Sequence, residues 1–176
     1  MNRYAHILES ITANKSNQFI GIFPWGTVID PINTNHKNSQ IAFLEQGVAF
    51  LQELRAKNIS VVLFINQFKP HPMSYDDLKN FIESVEQFVR EQGVSVMGTY
   101  WCPGFDKKDP FVVPNPGMFL RVAENLGVDW SKVPVLSAHD VDLSAASKVK
   151  ATPIKIGSKH DKYQSYTTLS EWVSSI

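Results

Sequence analysis

Only one cysteine, Cys102, occurs in the 176 residues, so no internal disulfide framework and no multi-cysteine zinc site can form. No run of about 18 apolar residues exists, which excludes a membrane-spanning helix. There is no excess of either charge: 17 Lys+Arg balance 17 Asp+Glu. That balance argues against a nucleic-acid partner or an anionic membrane held by bulk electrostatics. The first residues lack a basic segment leading into an apolar stretch and a small-residue cleavage site. A soluble, cytoplasmic protein is therefore expected. One further absence is local. Residues 18–29 contain neither Asp nor Glu.

What is present is a globular composition, 43% hydrophobic and 19% charged, in a chain long enough for one self-sufficient core. Residues 4–12 carry apolar side chains at helical spacing (Tyr4, Ile7, Leu8, Ile11). The run 19–23 reads as a buried strand ended by Pro24-Trp25-Gly26, and 28–40 as a loop. Apolar positions 41, 44, 48, 51 and 54 predict a helix, and the β-branched run 59–65 a strand buried on both faces. Ser74 and Asp77 form a capping box for a helix with the stripe Leu78, Phe81, Ile82, Val85, Phe88, Val89, closed by Gly93. A strand over 94–100, a loop over 101–115 and a helix over 116–126 stopped by Gly127 follow. Then come a strand over 133–137, a helix over 140–150 capped by Asp140, a strand over 153–156, and a C-terminal helix opened by Thr168 and Glu171. Five alternations of strand and helix predict one α/β domain over 1–176, with a mostly parallel sheet flanked by helices. Its core spans 18–157, with a lead-in over 1–17 and a terminal helix over 167–176. Ligands in such folds bind beyond the carboxyl ends of the strands.

The fragments at those ends are Gly26-Thr27, Asn66-Gln67, Tyr100-Trp101-Cys102-Pro103, Pro114-Asn115-Pro116-Gly117-Met118 and Asp142. In this order the chain resembles the haloacid-dehalogenase-type phosphatases. Within them it is similar to the small cap-less group with histidinol-phosphate and D,D-heptose bisphosphate phosphatases, over residues 18–157. The resemblance implies a Rossmann-like sheet with no or minimal cap. It implies an aspartate nucleophile, a second carboxylate as acid and base, a hydroxyl and a lysine on the phosphoryl group, and Mg²⁺. At those positions stand Phe23, Trp25, Ile65, Val113 and Ala138, leaving Asp142 as the sole candidate metal ligand. A phenyl ring cannot attack phosphorus, and an indole cannot cycle a proton at neutral pH. The zinc loop implied by the same resemblance keeps only Cys102, with Gly104 at the histidine position.

The expectation is thus a catalytically degenerate phosphatase homologue, a pseudophosphatase without cofactor, acting by binding a protein partner or a small ligand. Its candidate ligand-binding residues are Thr27, Asn66, Gln67, Lys69, His71 and His139. The alternative is an active, metal-dependent phosphatase acting on a small phosphoester through displaced residues such as Asp30, His71, His139 or Asp142. A second alternative is a structural subunit that uses its apolar loop. Plainer readings stand beside each candidate. Asp140 and Asp142 suit a helix start, the segment 69–72 a rigid turn, Asn66-Gln67 a loop support, and Cys102 a packed small side chain. The lysines between 148 and 162 suit a solvated surface.

Overall fold

A computed structural model describes residues 18–35, 40–67 and 72–176. The segment 4–12 with its helical spacing, together with Lys69 and His71, lies outside the described residues. The elements are β1 (Phe19–Ile22), α1 (Glu45–Ala56), β2 (Ser60–Asn66), α2 (Tyr75–Glu91), β3 (Val96–Cys102), α3 (Gly117–Leu126), β4 (Pro134–Ser137), α4 (Asp140–Lys148), β5 (Thr152–Ile156), β6 (Gln164–Tyr166) and α5 (Leu169–Val173). A 3₁₀ turn at Trp130–Lys132 precedes β4. The sheet order is β3-β2-β1-β4-β5-β6, and every pairing is parallel.

β1 is central because it pairs with β2 on one side and β4 on the other. Ile22 lies opposite Leu63 and Leu136. The chain order turns back at this strand, so the crevice between the ends of β1 and β4 is the topological switch point. Alternate side chains divide the core in two. Ile20, Ile22, Val61, Leu63 and Ile65 pack with α1, α2 and α5 on one face. Val62, Phe64 and Val135 pack with Met118, Phe119, Val122 and Trp130 on the other. This is the period of two expected of strands buried on both faces.

The caps explain most element ends. Ser74 accepts from the Asp77 amide and Thr168 from the Glu171 amide, as their capping boxes predict. Gly127 is left-handed (φ 65°) at the end of α3. α1 begins at Glu45 and not at Ile41, because 42–44 are drawn into the preceding loop. The Ala42 carbonyl accepts from Asp30 N and the Leu44 amide donates to Val28 O. β6 went unpredicted: Gln164-Ser165-Tyr166 is a short, polar edge strand without an apolar run. Asp140 is not a cap; His139 holds that position and Asp140 is the first helical residue.

Gly47 on α1 is where that helix meets the 27–28 backbone. A Cβ there would lie 2.6 Å from Val28 Cα and 3.0 Å from Thr27 O. Neither contact is a flexible tip, so the helix would have to move off the loop. Gly47→Ala is expected to destabilise by about 1–3 kcal/mol despite alanine's better helix propensity. A thermal melt checks this; an unchanged or raised midpoint would contradict the close packing.

Candidate functional site

At the end of β1 the chain turns sharply. The Pro24 carbonyl accepts from the amides of Thr27, Val28 and Ile29, and Gly26 N donates to Ile29 O. Gly26 has φ +75°, a conformation that favours glycine. A Cβ at Gly26 would sit 3.1 Å from Ala138 Cβ and 3.6 Å from His139 Nε2. The β1 and β4 loops therefore touch across the switch point.

The two aromatic residues of this turn join different cores. Phe23, 1% exposed, stays in the ladder through its amide bond to Leu136 O (3.0 Å). Its ring stacks on Phe64 at 5.1 Å and meets Phe119 at 6.0 Å. Trp25, 4% exposed, stacks on Phe81 of α2 at 4.9 Å with the planes 9° apart. Its Nε1 donates to Asn66 O at 3.0 Å. Ile65 is buried in the same core as Trp25, whereas Val113 lies half-buried against the Phe23 core. Ala138 is half-buried beside Gly26. None of these five side chains offers an oxygen.

The polar candidates are tied to the protein itself. Thr27 is buried and donates from Oγ1 to Phe23 O at 2.6 Å. Gln67 clasps the loop before α2, donating to Met73 O (2.8 Å) and accepting from Met73 N (3.0 Å). Asn66 reaches across β1: its Nδ2 donates to Asp142 Oδ1 at 3.0 Å. Ser137 Oγ donates to Asp142 Oδ2 at 2.7 Å and accepts from His139 N at 2.9 Å. Asp142, 3% exposed, is thus held between β2 and β4. Burial pushes its carboxyl up to about 7, against the lowering effects of Ser137, Asn66 and the Lys155 charge. Burial and the Lys155 charge hold the His139 imidazole below its ordinary value. The side-chain atoms Asn66 Oδ1 and His139 Nε2 are buried without a hydrogen-bond partner.

Ser137 and Lys155 belong to this cluster and were not expected there. Lys155 is 8% exposed and not part of a solvated surface. Its Nζ donates to Ala138 O (2.8 Å) and pairs with Asp140 Oδ1 (2.6 Å). That pairing, above all, holds the Asp140 carboxyl below its usual range. His160 Nε2 lies 3.3 Å from Asp140 Oδ2. The sequence signal was a lysine set between Ile154 and Ile156 of a buried strand. Asp30, the other displaced carboxylate, binds its own loop through Ile32 N, Asn33 N and Asn33 Nδ2, away from this cluster in its contacts. Cys102 is buried, which pushes its thiol up and suits a packed side chain. Among the described residues no group of three or more His, Cys, Asp or Glu could hold a metal ion. None of their helices is long and apolar enough to cross a membrane.

No protein-family model matches the chain. A D-glycero-β-D-manno-heptose-1,7-bisphosphate 7-phosphatase of Pasteurella multocida (strain Pm70) is 27% identical over 103 residues, covering 53% of this chain. The match spans 56% of that relative's length, little more than half. Among solved structures, the D,D-heptose 1,7-bisphosphate phosphatase of B. bronchiseptica, complexed with magnesium and phosphate, superposes with a TM-score of 0.76 at 19% identity. It covers 90% of this chain and 97% of its own. The corresponding enzyme of Burkholderia thailandensis gives 0.66 at 11% identity, over 90% and 97%. The six-stranded parallel sheet is that of the haloacid-dehalogenase scaffold, and the likeness to its phosphatases read from the motif order stands.

Proposed function

Starting from a haloacid-dehalogenase scaffold with phosphatase relatives, we propose that this protein is a pseudophosphatase: it keeps the fold and acts by binding. Its partner is a protein or a small ligand. The observation that carries this reading is Phe23. At the tip of β1, where the resemblance implies an aspartyl-phosphate, stands a ring locked between Phe64 and Phe119. No neighbouring carboxylate replaces it, because residues 18–29 contain none. The acid/base position is filled by Trp25, whose indole donates to a backbone carbonyl and has no exchangeable role at neutral pH.

A second reading has its own support. The relatives' names fit an active, metal-dependent phosphatase at least as well. Asp142 is a buried carboxyl in the first turn of α4 whose value of about 7 suits proton transfer. In this reading it serves as general base toward a small phosphoester, with Mg²⁺ required and no covalent intermediate.

One assay separates the two. Purified protein is incubated with a panel of small phosphoesters, including a sugar bisphosphate, with and without Mg²⁺, and phosphate release is followed. The expected result is release at the level of a protein-free control. Turnover that requires Mg²⁺ and disappears in Asp142→Asn would establish the second reading and end the first.

A further inference from the structure

The donor set at the end of β4 does not suit Mg²⁺. That ion wants near-octahedral oxygen ligands, commonly including one or two carboxylates. Phe23, Trp25 and Ala138 supply no side-chain oxygen. Asp140 is paired with Lys155, and each oxygen of Asp142 already accepts a hydrogen bond, from Asn66 Nδ2 and from Ser137 Oγ. An N–H and an O–H thus each occupy one lone-pair direction of the carboxylate. The Asn66 amide also ties the site together mechanically. It joins the end of β2 to α4 across the intervening β1, between residues 76 apart in the chain.

The loop between β3 and α3 repeats the pattern independently. Asp106 Oδ1 accepts from Lys108 N (2.9 Å) and Asp109 Oδ1 from Phe111 N (2.8 Å). Asn115 then closes the loop: its Nδ2 donates to Lys107 O (2.8 Å) and to Asp109 O (2.9 Å). Gly117 N adds a bond to Pro110 O at 2.9 Å, a contact so close that a Cβ on Gly117 would sit 2.3 Å from that oxygen. These bonds hold the loop through protein groups, and Cys102 at its start is buried.

We infer that hydrogen bonds from two side-chain amides, Asn66 and Asn115, hold the Asp142 cluster and the β3–α3 loop together, and that the folded protein is independent of both Mg²⁺ and Zn²⁺. The inference concerns what holds the site together and does not depend on whether the protein turns over a substrate.

The test is thermal unfolding of the full chain as purified, after EDTA treatment, and with Mg²⁺ or Zn²⁺ added alone. The expected midpoints coincide. Asn66→Ala and Asn115→Ala are each expected to melt a few degrees lower, again without response to either ion. A wild-type midpoint that falls in EDTA, or that rises with either ion, would overturn the inference, as would variants that both melt like the wild type. The wild-type comparison needs no variant to fold. A phosphate-release assay in EDTA keeps the two proposals apart. Turnover without metal would sink the pseudophosphatase reading alone, and metal stabilisation without turnover would sink this one alone.

Discussion

Phe23→Asp combined with Trp25→Asp is expected to yield a protein that neither hydrolyses phosphoesters nor folds stably. Each ring is embedded in a separate core, Phe23 against Phe64 and Phe119, Trp25 against Phe81. Truncating a buried Phe or Trp costs about 3–5 kcal/mol. The rings pack in different cores but belong to one turn, so their costs add only in part. Their sum, at most roughly 6–10 kcal/mol, compares with a total stability of about 5–15 kcal/mol for a typical domain. Two new carboxylates placed among apolar neighbours add a desolvation cost. Trp25 also takes its indole bond to Asn66 O with it. Any molecule that does fold still lacks a lysine at 113 and an aspartate at 138. Circular dichroism melts and a phosphate-release assay check both halves. A double variant that melts like the wild type and hydrolyses phosphoesters would show that the surroundings still form a catalytic pocket.

The second large effect concerns Asp142 and runs opposite to the usual behaviour of a paired carboxylate. Its carboxyl is raised from 3.8 in the unfolded chain to about 7 in the fold. Between those values the folded protein holds a proton that the unfolded chain has released. Stability from this group is therefore fully present below about pH 4 and is lost as pH rises through about 7. A shift of some three units corresponds to about 4 kcal/mol. His139 contributes with the opposite sign. Its value is lowered, so stability gains as pH rises toward 6.5. The Asp142 contribution is isolated by comparison with Asp142→Asn, which leaves His139 in place. The variant's amide can accept from Ser137 and donate to Asn66, provided the Asn66 amide turns end for end. That rotation presents Oδ1, an atom otherwise buried without a hydrogen-bond partner. Asp142→Asn is expected to match or trail the wild type near pH 5 and to exceed it by several degrees at pH 8. Thermal melts across that range provide the measurement. A variant less stable than the wild type at pH 8 would mean that the ionised carboxylate is a net asset, as a bound cation would make it.

Much of the architecture is legible residue by residue. The β-branched run of β2 could only be a strand covered on both faces, and it is buried throughout but for its last residue. Ser74, Thr168 and Gly127 mark helix ends because their chemistry is local. A hydroxyl reaches an amide three residues on, and a glycine takes a left-handed turn. β6 and the late start of α1 were hidden because their causes are distant. Gln164-Ser165-Tyr166 becomes a strand only because β5 presents an unpaired edge. The chain at 42–44 stays extended only because the 28–30 loop lies beside it. The candidate site divides in the same way. The apolar side chains at 23, 25, 65, 113 and 138 are written in the chain. The fate of Asp142 is not.

The sequence by itself determined the periodicities, the caps and the inventory of chemical groups, because these depend on a residue and its near neighbours. Only the tertiary structure decided that Phe23 and Trp25 part into two cores. It alone brought Lys155 back to Asp140 and spent the Asn66 amide on a carboxylate 76 residues away. Parallel strands bring together residues that no local rule links, and burial between those strands sets the charge of whatever they enclose.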